Sequence, residues 1–312
     1  MSPPKSTGAL ADFSSQLAGA VEAAAKSLVA IHARRRIPSS GIIWRDGVIV
    51  SASHTVRRDG EVTISLPTGE SMTATVAGRD PATDLVALKV SGAKSQVAAK
   101  ADADSSRVGS IVLAVGRPGG GRDVTATFGV ISAVGEGWRT WQGARIDQVL
   151  RLDLAIQDGF SGGALVNASG AVVGVNNSAL ARGAPLALPA AAVDRVLDEL
   201  LEHGHVRRAF IGVAVHPVTL GASTVKRHQL PHETALVVMS VGAGTPAETA
   251  GLMVGDVLVA ANGQSLRRPT DLLDELASAK VGTPFEIKHL RGADLQTVTV
   301  IPVHRGAGDA RE

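Results

Sequence analysis

The chain has no cysteine and no tyrosine. Without cysteine, disulfide bonds and thiolate metal ligands are excluded. Aromatic residues make up only 3% of the 312 residues, against 35 glycines. That balance favours many short strands and turns over long helices. Strong charge of one sign is missing too: the formal net charge is +2, and no basic block is interleaved with aromatics. A nucleic-acid partner is therefore not expected. No apolar run approaches the roughly 18 residues that a membrane span requires. The segment Met1 to Thr7 lacks a basic start followed by an apolar core, so it does not read as a standard signal peptide. As written, the chain reads as soluble, either a leaderless cytosolic protein or the mature part of an exported one. The nine histidines show no metal-ligand spacing, and no glycine loop of the phosphate-cradling kind precedes a helix. Neither a metal nor a cofactor is expected.

What is present is an apolar content of 45% over a length that suggests two or three domains. Leu10 to Lys26 carries Phe13, Leu17, Val21 and Ala24 at helical spacing and predicts a helix. Short apolar runs punctuated by Asp-Gly, Pro-Thr-Gly and Asp-Pro turns then follow to about Val90, and a second similar set runs from Ser110 to Leu188. Two consecutive sets of this kind predict two β-barrels packed together. Pro189 to Glu202 is helical in period and stops at Gly204. A third unit runs from about Arg208, with five strands and a helix over Thr270–Lys280 that starts after Pro269.

The stretch Asp158-Gly159-Phe160-Ser161-Gly162-Gly163 sets one serine among glycines, ahead of the apolar run Ala164-Leu165-Val166. Such a turn can raise a hydroxyl beside converging backbone N–H groups, which acyl transfer needs. A serine also needs a base, and the base an orienting acid. His54 stands at the end of one apolar strand and Asp84 at the start of another. The same glycines also fit the G-x-S-x-G elbow of α/β-hydrolases, for which Asp194 and His203 would supply the later partners. That elbow has to lead into a helix, whereas Ala164–Asn167 and Ala171–Asn176 read as strands.

Ser53-His54-Thr55-Val56, Asp80-Pro81-Ala82-Thr83-Asp84-Leu85, Asp153-Leu154-Ala155-Ile156, Gly159-Phe160-Ser161-Gly162-Gly163-Ala164-Leu165 and Leu188-Pro189 together resemble the HtrA/DegP-type serine proteases. Gly244 to Leu258 with Asn262-Gly263 resembles the PDZ portion of that family. The resemblance implies a mainly β fold: a trypsin-like protease domain of two β-barrels, followed by an α+β PDZ domain. The organisation it suggests is an N-terminal helical arm over 1–35, the protease domain over 36–205, the PDZ domain over 206–304 and a tail over 305–312. Ser161 would be the nucleophile, His54 the base and Asp84 its orienting acid, with Gly159, Phe160 and Ser161 forming the oxyanion hole. The chain departs from the family where Phe160 replaces an asparagine, Asp158 and Ala164 replace prolines, and Ala52-Ser53 replaces a pair of asparagines.

Ala155, six positions before the serine, would sit at the base of the specificity pocket, with Ile156, Leu186, Ala187 and Leu188 lining it. An apolar base favours cleavage after small or medium aliphatic residues. In the third unit, Phe210-Ile211-Gly212-Val213 resembles a carboxylate-binding loop, and Leu273 with Ala277 would face a peptide groove. The partners implied are unfolded or misfolded polypeptides, C-terminal peptides at the PDZ domain, and other copies of the chain in a homotrimer with Phe13 at the contact. The family resemblance implies a periplasmic location. Two function classes stay open: an active endopeptidase of protein quality control, and a protease-like scaffold that holds peptides with little hydrolysis.

Overall fold

The computed structural model describes residues 8–34, 37–93, 95–102, 106–119, 123–139, 145–180 and 184–304. The Met1–Thr7 segment and the tail over 305–312 lie outside them. The chain divides into two units, Met1–Val206 and Arg207–Glu312.

The first unit opens with helix α1 (Ala9–Ala25), which buries Ala20 and Ala24 and packs Leu17 and Val21 on the core. Strands β1 (Leu28–Ile31), β2 (Ser39–Arg45), β3 (Val48–Ala52), β4 (Glu61–Ser65), β5 (Ser71–Asp80) and β6 (Leu85–Lys89) close into a barrel in the order β1-β2-β3-β6-β5-β4. A second closed barrel has the order β10-β11-β12-β9-β8-β7. Its strands are β7 (Ile111–Gly116), β8 (Thr125–Arg139), β9 (Arg145–Asp153), β10 (Ala164–Asn167), β11 (Val172–Asn177) and β12 (Leu186–Pro189). Closure removes the open sheet edges on which other chains could pair.

Strands such as β1, β6 and β7 read as continuous apolar runs because both of their faces are buried, whereas β4 and β5 mix buried with exposed positions. In β6, Val86 and Leu88 point into the first barrel while Leu85 and Ala87 enter a separate cluster shared with the second barrel. Helix α2 (Ala190–His203) buries Val193, Val196, Leu197 and Leu200 in that shared cluster. Its polar anchor is Asp194, whose carboxylate accepts from Trp44 Nε1 at 2.7 Å and Lys100 Nζ at 2.9 Å. Burial alone would raise the Asp194 pKa, but these donors and Arg45 hold it below the usual carboxylate value. Trp44 itself is fully buried, so the pair fixes a barrel face to the helix.

The second unit is a sheet in the order β14-β15-β16-β18-β19, formed by β14 (Val213–Thr219), β15 (Thr234–Val241), β16 (Val257–Ala261), β18 (Phe285–Arg291) and β19 (Asp294–Val300). Short β17 (Gln264–Ser265) pairs with β16, and β13 (Ala209–Phe210) pairs with β20 (Val303–His304). Helix α5 (Pro269–Ser278) packs against β13 and β14. Where one strand was expected over Phe210–Val215, the chain breaks at Ile211-Gly212, whose carbonyls accept from Ala247 and Gly242 N–H. Helices α3 (Ala222–His228) and α4 (Pro246–Thr249) were not expected. Helix α3 buries no residue, so it has no apolar stripe to announce it.

Candidate active site

Three loops meet at the site, and each is held by its own local chemistry. After β3 a single 3₁₀ turn, Ser53–Thr55, lifts His54 out of the barrel wall. Thr55 Oγ1 donates to the Ala52 carbonyl at 2.7 Å and closes that turn. Before β6, the Asp80 carboxylate accepts from the N–H groups of Ala82 and Thr83 and from the Thr83 hydroxyl, which shapes the turn leading to Asp84. Asp84 has φ of 56°, a left-handed conformation that aspartate tolerates better than most residues.

These turns bring His54 and Asp84 into a doubly bonded pair. The Asp84 carboxylate accepts the His54 backbone N–H at 2.7 Å and faces His54 Nδ1 at 2.5 Å. With Nδ1 protonated and donating, Nε2 is the basic nitrogen. A third donor arrives from the second barrel: Asn177 Nδ2 reaches the same carboxylate oxygen at 2.7 Å. The Asn177 Oδ1 accepts the N–H groups of Ala179 and Leu180, so one side chain joins the end of β11 to the acid. A carboxylate that is only 6% exposed is thereby fully satisfied.

The serine loop shows why its glycines are needed. Gly159 has φ of 85°, and a β-carbon there would press on Pro118 and the Pro38 carbonyl. Gly162 has φ of 84°, and a β-carbon there would collide with the Ser40 carbonyl and the Ser51 hydroxyl. Phe160 is fully buried among Val112, Ala114, Leu165 and Val173 in the interior of the second barrel, and so pins the loop from below. Phe160 N–H donates to Gln157 and Gly163 N–H donates to Phe160. The N–H groups of Gly159 and Ser161 have no acceptor among the described residues, and their two peptides flank the one between them. Donors held free in this way can receive an oxyanion.

Ser40 sits beneath this loop. Its hydroxyl accepts the Arg117 N–H and donates to the Gly159 carbonyl, both at 2.7 Å. The Arg117 side chain, 1% exposed, donates to the carbonyls of Ala25 at the end of α1 and Leu28 in β1. Burial lowers the Arg117 pKa, and Asp123 acts against that shift.

Ser161 is 5% exposed. Its hydroxyl lies 2.8 Å from that of Ser178 and accepts the Ser178 N–H at 3.3 Å. No hydrogen bond joins it to His54 among the described residues. Ser40, Asn177 and Ser178 were not foreseen from sequence. The only available signal was the Asn176-Asn177-Ser178 run, which puts polar residues at the end of an apolar strand.

The expected pocket residues separate. Ala155 is exposed and its carbonyl accepts from Thr127 Oγ1, while Ile156 packs half-buried on the interior of the second barrel together with Ala187. Leu186 and Leu188, on the other face of β12, turn into the cluster between the barrels. In the second unit, the N–H groups of Ile211 and Gly212 have no acceptor among the described residues. Leu272 and Leu276 are in the core, Leu273 is half-buried and Ala277 exposed. The serine loop leads into strand β10 and Asp194 is bound to Trp44 and Lys100, which excludes the hydrolase-elbow arrangement. Among the described residues no three His, Asp or Glu side chains converge as a metal site, and no helix is long and apolar enough to cross a membrane.

Residues 39–175 match the family model of the trypsin-like peptidase domain and residues 209–301 that of the PDZ domain. The architecture is thus a trypsin-like peptidase fold followed by one PDZ domain. Within that class the relatives that the chain matches are named DegP-like serine endoproteases, and its structural neighbours include HtrA-type proteases. It is 33% identical to a "Probable periplasmic serine endoprotease DegP-like" of Chlamydia trachomatis, over 85% of this chain and 54% of that one. It is 35% identical to the protein of the same name from Rhizobium meliloti, over 86% and 53%. The chain spans about half the length of these curated relatives. Among solved structures it is similar to the serine endoprotease from Yersinia pestis, with a TM-score of 0.72 and 27% identity over 93% of this chain and 98% of that one. It is also similar to the HtrA-type protease AlgW with tripeptide, with a TM-score of 0.70 and 28% identity over 94% and 99%.

Proposed function

We propose that this chain is an endopeptidase that cleaves unfolded or damaged polypeptides with His54, Asp84 and Ser161, and that residues 206–304 bind peptide or C-terminal segments. The carrying observation is an Asp84 carboxylate met by three donor groups, His54 Nδ1 among them, beside a serine loop whose Gly159 and Ser161 N–H groups have no acceptor among the described residues; this supports His54 Nε2 as the base. Ser161 Oγ attacks the substrate carbonyl carbon as its proton passes to His54 Nε2. The carbonyl oxygen, now an alkoxide, is received by the N–H groups of Gly159 and Ser161. Imidazolium forms next to the Asp84 carboxylate, then returns its proton to the leaving amine as the C–N bond breaks. Water repeats the sequence on the acyl-serine and frees the acid product.

Ala155, exposed, and Ile156, half-buried, carry no charge, which supports cleavage after small or medium aliphatic residues. In the second unit, β14 is an edge strand with α5 alongside, the arrangement in which a peptide adds as an extra strand. The free N–H groups of Ile211 and Gly212 would take its carboxylate, and Leu273 and Ala277 its apolar side chain.

Casein digestion and labelling by a fluorophosphonate test the reading, with Ser161→Ala as control. Wild type is expected to cut casein and take the label at Ser161, and the variant to do neither while staying folded. A second reading, a peptide holder with little hydrolysis, is favoured by one observation: the Ser161 hydroxyl is bonded to Ser178 and not to His54. A folded wild type that takes no label would establish that reading instead.

A further inference from the structure

A hydroxyl has one proton to donate and two lone pairs to accept with. At Ser161 one lone pair already receives the Ser178 N–H, and the hydroxyl of Ser178 stands 2.8 Å away. If Ser161 donates in that contact, its proton points away from His54. If it accepts, both lone pairs are engaged and none is left to attack. Either direction takes the nucleophile out of service until the contact breaks.

Ser178 is also held in place. It stands on the turn that Asn177 Oδ1 builds by accepting from Ala179 and Leu180, and the other end of the Asn177 amide is bonded to Asp84. The position of Ser178 relative to the acid is therefore set by one side chain. Ser178 itself is exposed, directly after β11, so an incoming chain can reach it.

Resting on the reading of Ser161 as nucleophile, we infer that Ser178 is a positioning residue: its hydroxyl holds Ser161 in a resting orientation, and binding of a substrate chain across the end of β11 releases it. The restraint acts before the chemical step. It slows every acylating reagent by a constant factor and leaves the pH profile unmoved.

The test compares the second-order rate of fluorophosphonate labelling at Ser161 in wild type, Ser178→Ala and Ser178→Thr across pH 6 to 9. Alanine keeps the backbone N–H contact and removes only the hydroxyl, so the expected gain is that of one neutral hydrogen bond, about 2- to 10-fold. Threonine restores the hydroxyl and is expected to return the rate to that of wild type. A Ser178→Ala chain that labels no faster than wild type overturns the inference, as does a Ser178→Thr chain that labels as fast as the alanine variant. No label on any of the three chains removes the nucleophile role of Ser161, and this inference with it.

Discussion

Replacing Ser40 by alanine is the sharpest probe of how the serine loop is held. The substitution deletes one oxygen and two hydrogen bonds, one from the Arg117 N–H and one to the Gly159 carbonyl, each 2.7 Å long. Ser40 is fully buried, and its hydroxyl is the one donor to the Gly159 carbonyl among the described residues. A buried polar group that loses its partner costs about 1–3 kcal/mol. In a unit of this size each kcal/mol lowers the melting temperature by about 2–4 °C. Catalysis should suffer separately. The Gly159 carbonyl belongs to the peptide lying between the two free donors, so releasing it lets both turn. Complete loss of one such donor costs about 10²–10³ in rate, which sets the upper limit for the fall in kcat. A fall of about 10-fold in kcat, with KM unchanged because no pocket residue is touched, is the expected result. Calorimetry reads the stability and single-turnover hydrolysis of an ester substrate reads the chemistry. A folded Ser40→Ala chain with the kcat of wild type would refute the role given to this hydroxyl.

Phe160→Ala empties a site in the interior of the second barrel and should cost about 3–5 kcal/mol in urea unfolding of the full chain; a loss under about 1 kcal/mol would mean the loop is not pinned by this ring. In the second unit, burial lowers the pKa of His289, Asp256 at 3.8 Å raises it and Arg291 lowers it, for a net lowering. The unfolded chain then takes up this proton first, so stability falls as pH drops below about 6.5, by at most about 1.4 kcal/mol per pH unit. Burial would raise Asp256, but Arg291 and the Met253 N–H hold it below its usual value, so its contribution is lost only in stronger acid. Hydrogen-exchange protection across residues 234–300 of the full chain should therefore weaken between pH 7 and 5 in wild type and not in His289→Phe; equal slopes would refute the assignment.

Much of the fold could be read from local patterns. Runs such as Leu85–Val90 announced strands because the barrel walls are buried on both sides, and Val193 to Leu201 announced α2 because one face of it is buried. The break at Ile211-Gly212 was hidden because the residues on either side remain strand-like in composition. Helix α3 was hidden because it buries nothing.

His54, Asp84 and Ser161 stood out only as a set, since each sits where an apolar strand meets a turn and the order His, Asp, Ser matches the motifs of the family that the chain resembles; taken singly, each reads as a structural residue. Their supporting residues did not stand out. Ser40, Asn177 and Ser178 are ordinary polar residues whose importance comes from what stands opposite them, 119, 93 and 17 positions away in the chain. Sequence alone therefore determined the succession of strands, turns and helices, because turn chemistry and apolar period are local properties, and through its motifs the two kinds of domain and the side chains proposed for the chemistry. Tertiary structure alone decided which carboxylate oxygen is shared, which peptide N–H groups find no acceptor among the described residues and which hydroxyl Ser161 meets, because a hydrogen bond depends on a few tenths of an ångström between segments that only the closed barrels bring together.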